Sequence, residues 1–186
     1  MPDFGATGWG RAWVRAVEST AVTTPNPLLP KARSLARNDA VTTVDIAPGR
    51  LTAEVVDRGR HHRVTIDIPL WTGQVRLVAD RLVARSLAEH RGLAPGDLPD
   101  ALAADLASHG IDIAVPTDAQ TATCTCASRR RPCSHVLATH YALAQRVDEQ
   151  PALALTLRAP RRTGHRQGDP DWIDLREVDA AAFYGG

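Results

Sequence analysis

Residues 41–68 read VTTVDIAPGRLTAEVVDRGRHHRVTIDI, and the fold follows from their pattern. Val44 and Ile46 alternate with Thr43 and Asp45, Leu51, Ala53 and Val55 with Thr52 and Glu54, and Val64, Ile66 and Ile68 with Thr65 and Asp67. A period of two puts one apolar face on each of three strands. Pro48-Gly49 and Arg58-Gly59 fall where the chain must turn, so the economical arrangement is a three-stranded antiparallel meander. His61 and His62 are adjacent at the start of the third strand. Neighbouring strand residues point to opposite faces, so the two cannot chelate one metal together and read as solvated polar residues.

Downstream of Trp71 the period becomes helical. Val75, Val78, Ala79, Leu82, Val83 and Leu87 form one stripe, with Arg76, Asp80 and Arg81 outside it, and this helix is expected to cover the sheet. A turn at Pro95-Gly96-Asp97 leads to a second helix with Leu98, Leu102 and Leu106 on one side and Gly110 as its stop. The run from Ile111 to Val115 is apolar. Upstream, Trp9 and Trp13 are expected to pack, with Trp13 opening a short helix that includes Val14 and Val17. The nearby glycines read G-x-x-G-x-G, which is not the dinucleotide fingerprint and follows no strand. TTPNPLLPKARSLARND reads as a proline-punctuated extended connection ending in solvated Arg33 and Arg37.

A chain of 186 residues that is 44% hydrophobic can bury a substantial core. MPDFGATGWGRAW lacks the pattern of a signal peptide, and no stretch reaches membrane-spanning length, so the expectation is a folded cytoplasmic protein without a membrane partner. Formal net charge is +1, with Lys31 the single lysine, so any nucleic-acid surface must come from local clustering of arginines.

The three cysteines, an odd number, all lie between positions 124 and 133, which speaks against a secreted disulfide framework and for a local metal site. TCTCASRRRPCSHVLATHYALAQRV has the form C-x-C, six residues, C-x-H. Three thiolates from Cys124, Cys126 and Cys133 and one imidazole from His135 are ligands that Zn2+ prefers, and four of them complete a tetrahedron. In a strand Cys124 and Cys126 point to the same side, while Pro132 and the start of a following helix can turn Cys133 and His135 back toward them. That helix is readable from the stripe Val136, His140, Leu143 and Val147. Inert buried cysteines or a redox pair are the alternatives. Three cysteines with a histidine at this spacing fit packing poorly, and a redox pair would more naturally be C-x-x-C. With all four positions filled by protein and no H-E-x-x-H-like carboxylate, no catalytic residue is assigned and an enzyme is not expected. His140 reads as a hydrogen-bonded core residue, at most a neighbour of the ligands.

The ligand pattern and its following helix resemble the SWIM zinc fingers, whose signature is C-x-C, a variable spacer and C-x-H. F-G-A-T-G-W-G-R-A-W and L-P-K-A-R-S-L-A-R look like segments of bacterial, actinobacterial-type SWIM proteins, extending the resemblance over roughly residues 4–160, specific at the finger and weak elsewhere. Gly8, Ala32 and the spacer ASRRRP depart from that family, where an aromatic, a glycine and acidic or aromatic residues would be expected. The resemblance implies a structural zinc and a role in DNA binding or protein interaction, often beside Swi/Snf-type helicases.

Zinc with three thiolates and a neutral histidine carries a formal charge of about −1, which Arg129, Arg130 and Arg131 in the spacer would offset. Two readings of this loop stand: a solvated loop that only balances charge, or a phosphate-binding tip seconded by Arg158, Arg161, Arg162 and Arg166. The acidic tail GDPDWIDLREVDAAAFYGG, with Asp171 as a helix cap and Trp172, Leu175 and Phe183 as an apolar side, could dock on the protein itself or on a partner. The expected fold class is α+β, a small antiparallel sheet covered by helices and followed by the zinc knuckle and its helix. Residues 1–118 form the α+β region, 119–160 the finger and 161–186 the tail. The function classes are nucleic-acid binding, or an accessory subunit that docks a protein partner.

Overall fold

The computed structural model describes residues 4–18 and 26–159. The meander forms as its alternation requires: β1 (Val41–Ala47), β2 (Arg50–Asp57) and β3 (Arg60–Asp67) pair antiparallel in order. Arg58 and Gly59 both adopt positive φ, 53° and 73°, the conformation of a two-residue hairpin turn whose twist matches the strands. A fourth strand, β4 (Thr121–Cys124), joins the outer edge of β3 with Cys124 opposite Val64 and Thr121 opposite Asp67. The protein is therefore α+β, with Leu51, Ala53, Val55, Val64 and Ile66 forming the buried face of the sheet.

That face is covered by α5 (Ser134–Glu149), which packs on all four strands and on whose other side lie α1 (Gly8–Val17) and α2 (Leu29–Arg37). A helix enclosed on several sides must be apolar nearly all round, and α5 buries Val136, Leu137, Ala138, Tyr141, Leu143, Ala144 and Val147. His140 is buried with them, and burial alone pushes its pKa down to about 4, so it sits in the core as a neutral ring.

Three sequence expectations are corrected. Residues 29–37 are helical rather than extended: a proline in the first turn is compatible with a helix, and Ala32 and Ala36, one turn apart, bury against α5. Helix α1 begins at Gly8 rather than Trp13, with Thr7 capping the Gly10 amide, and both indoles are fully buried. The helix after Trp71, α3 (Gly73–Glu89), packs mainly on α4 (Asp100–Ser108) rather than covering the sheet; it buries Ala79, Leu82 and Ser86 and leaves Val75, Leu77 and Leu87 exposed. Helix α4 buries Leu102 and Leu106 and ends before Gly110 at φ 68° as its pattern requires, but it begins at Asp100, so Leu98 precedes it.

Arg158 is corrected as well. It ends α6 (Ala152–Arg158), and it is buried instead of lining a basic surface. Its guanidinium lies over the Trp71 ring and donates to the carbonyls of Pro69 and Asp112, while its own carbonyl accepts from the Trp71 amide at 2.7 Å. Arg33, read as solvated, pairs with Glu18 at 2.6 Å and donates to the Tyr141 hydroxyl.

The glycine-rich loop before α1 holds an anion supplied by the protein itself. Asp148 of α5 accepts from the amides of Gly5, Ala6 and Thr7 at 2.7, 3.0 and 2.8 Å and from the Thr7 hydroxyl at 2.7 Å. A Cβ on Gly10 would collide with this carboxylate, which is why glycine stands there. Among the described residues no helix is long and apolar enough to cross a membrane. Asp148→Ala should lower stability by about 2–4 kcal/mol in urea unfolding, because three amides lose a charged acceptor, and Gly10→Ala should cost a similar amount by expelling it. Unfolding midpoints within error of the parent would show that the contact carries no weight.

Candidate metal centre

The four predicted ligands converge. One donor atom from each of Cys124, Cys126, Cys133 and His135 lies within 4.8 Å of the other three. Strand β4 delivers Cys124, the chain leaving β4 delivers Cys126, and the first turn of α5 delivers the other two, with Cys133 in the N-cap position. Thr125 continues the pairing, its amide donating to the Arg63 carbonyl and its hydroxyl accepting from the Arg63 amide, so the first arm of the knuckle is an extension of the sheet.

A zinc ion about 2.3 Å from each sulfur separates tetrahedral ligand atoms by about 3.8 Å, so a cluster within 4.8 Å needs only a small contraction to fit. The donor set suits the metal as well as its size: three sulfurs and one nitrogen, with Cys133 and His135 buried and Cys124 and Cys126 half-buried. The site is a Cys3His zinc centre.

Without the metal's charge the ligands carry protons that it must displace. Burial pushes the Cys124 thiol up to about 12. Burial also opposes ionisation of Cys133, but hydrogen bonds with His135, with the Val136 amide and with Cys126 outweigh it and bring the thiol down to about 6. His135 is raised to about 9, chiefly by the Cys133 thiolate and against burial, with Asp57 adding to the effect.

Residues far away in sequence complete the surroundings of His135. Its Nδ1 faces the sulfurs, 3.7 Å from Cys124 Sγ, and its Nε2 lies 3.1 Å from Asp57 Oδ2 at the end of β2. Lys31 of α2 donates to the same Asp57 oxygen at 2.6 Å. His62, expected to be solvated, stacks on His135 with ring centroids 4.3 Å apart and planes 14° apart. His61 does point outward, as the alternation requires, and meets Glu54 at 2.6 Å. No local motif marks Asp57, His62 or Lys31. The only available signal was that one end of the meander must lie near the start of α5.

Arg129, Arg130 and Arg131 are exposed on the spacer, and among the described residues no carboxylate pairs with them. Because Cys124 lies opposite Val64 and Thr125 bonds to Arg63, the spacer leaves β4 toward the Arg58-Gly59-Arg60 turn, whose two arginines are also exposed. Arg161, Arg162 and Arg166, and the tail with Trp172, lie outside the described residues.

Residues 111–143 match the family model of the SWIM zinc finger. This stretch of the chain is a SWIM zinc finger. The match begins at the buried run Ile111–Val115, takes in β4 and all four ligands, and ends within α5, so the SWIM unit includes part of the hydrophobic core as well as the knuckle. Similarity reaches further: the chain is 27% identical over 158 residues to an uncharacterized protein of Mycobacterium tuberculosis, covering 84% of this chain and 56% of that protein. The chain thus spans little more than half the length of that relative. No solved structure matches the chain.

Zinc loading of the SWIM centre at pH 7 should release at least about two protons, since Cys124 and His135 have metal-free pKa values above 7. Since ligands must lose protons to bind, affinity should rise with pH. Calorimetric titration of zinc in buffers of different ionisation enthalpy measures the number. Release of no protons, or affinity that rises on acidification, would contradict this ligand set.

Proposed function

We propose that the chain is a non-catalytic cytoplasmic binding module, in which the zinc centre presents a basic rim to the phosphate backbone of nucleic acid. What supports this reading is that the spacer carrying the exposed Arg129, Arg130 and Arg131 runs between the metal ligands and leaves β4 toward the β2–β3 turn, where Arg58 and Arg60 are also exposed. Exposed arginines free of carboxylate partners among the described residues can neutralise phosphates and release counterions. The rim carries no stacking aromatic, which favours backbone contact over recognition of unstacked bases. Four protein ligands leave the metal no open position for a substrate, which supports a structural zinc, and thiolate ligands suit a reducing compartment.

A second reading rests on a different observation. Helix α3 and the turn after it expose the apolar side chains Val75, Leu77, Leu87 and Leu93, which are available to a protein partner, for which a Swi/Snf-type helicase is one candidate by family analogy. The two readings differ in their response to salt.

Fluorescence anisotropy with labelled DNA and RNA duplexes should show affinity that falls steeply with added salt. Changing Arg129, Arg130 and Arg131 together to alanine should weaken binding similarly across sequences and reduce the slope of log K against log salt by about 2–3. If the triple variant binds like the parent with its zinc content unchanged, the nucleic-acid reading fails. Salt-tolerant capture of a protein partner, lost on Leu77→Asp and Leu87→Asp, would establish the second reading.

A further inference from the structure

We infer that Asp57, held by Lys31, is a positioning residue of the zinc centre that selects Nδ1 of His135 as the metal-binding nitrogen. An imidazole offers two nitrogens, and whichever one donates a proton to a neighbour leaves the other's lone pair for a metal. Here the two sides of the ring face opposite chemistry. Nε2 lies 3.1 Å from Asp57 Oδ2, and an ionised carboxylate only accepts, so Nε2 carries the proton. Nδ1 is then unprotonated in the loaded site and points at the sulfurs, 3.7 Å from Cys124 Sγ.

Asp57 can perform this task because it is itself fixed. It is the last residue of β2, immediately before the tight Arg58-Gly59 turn, and the oxygen that meets His135 also accepts from Lys31 Nζ at 2.6 Å. Its side chain is only 15% exposed, so water competes weakly for that oxygen. The remaining freedom of the imidazole, rotation about its bond to Cβ, is limited by the His62 ring stacked on it. One ligand is thus oriented by three elements besides its own: β2 through Asp57, α2 through Lys31 and β3 through His62. A carboxylate behind a metal-binding histidine fixes the tautomer and raises ligand basicity, and its loss commonly weakens metal binding 10–100-fold. The chain's single lysine and the Asp57 carboxylate therefore belong to the metal centre and are more than a surface ion pair.

The test uses the full chain and zinc itself. Competition against a chromophoric chelator should give zinc binding weakened about 10–100-fold in Asp57→Ala, with partial recovery in Asp57→Asn, whose amide oxygen can still accept. In parallel, long-range 1H–15N spectra of the zinc-loaded parent chain should show His135 protonated at Nε2 and metal-bound at Nδ1. A His135 bound to zinc through Nε2 would overturn the assignment. So would an Asp57→Ala chain of unchanged circular dichroism that binds zinc as tightly as the parent. If Asp57→Ala does not fold, the tautomer in the parent chain and the zinc affinity of Lys31→Met decide the matter. Weakened zinc binding by Lys31→Met, with the Nε2–H tautomer in the parent, supports the role, and parental affinity refutes it.

Discussion

Helix α5 is fixed at both ends by charge. At its N-terminus Cys133 and His135 are tied into the zinc centre, and near its C-terminus Asp148 accepts four hydrogen bonds from the loop that starts α1. Between these anchors the helix is buried almost all round, with the sheet on one side and α1 and α2 on the other. Its first half, Ser134–Tyr141, is buried throughout, so the metal ligands at its start inherit the rigidity of the core. Cys133 and Val136 belong to the same cluster as Trp9, Leu51 and Val147, and the knuckle is continuous with the rest of the molecule. Metal binding and folding are therefore linked in this protein, since the ion would close a contact that the core already brings to within a few ångströms.

Charge follows the same plan at the other side of the site. The metal with its three thiolates is formally anionic, and the surrounding groups answer it: the helix N-terminus at Cys133, and the exposed arginines of the spacer and of the β2–β3 turn. Asp57 sits between the two, touching the ligand His135 and directly preceding the Arg58-Gly59-Arg60 turn. Whatever holds the ligand thus also fixes the start of the Arg58-Gly59-Arg60 turn.

The features legible in the sequence were those whose signal is local. Alternation over residues 41–68 specifies a meander because a one-residue slip would turn Leu51, Val55, Val64 and Ile66 into solvent. The ligands were legible because Cys124, Cys126, Cys133 and His135 lie within twelve consecutive positions. Helix α2 was obscured by its prolines and by a buried face made only of Ala32 and Ala36, too small to register as a stripe. Helix α3 misled in the opposite sense, since its apolar residues exceed what its neighbours cover. Arg158 looked like surface charge until the carbonyls of Pro69 and Asp112, at separations of 89 and 46 residues, supplied its partners. The Asp57–His135 contact, 78 residues apart, has no local trace at all.

Everything at this end of the sheet depends on one zinc ion in the Cys3His site of the folded chain. Native mass spectrometry of protein purified without chelators measures it directly. The expected result is a mass increase of one zinc per chain, lost on changing Cys133 to serine. A folded chain that carries no zinc and takes up none from solution would contradict it.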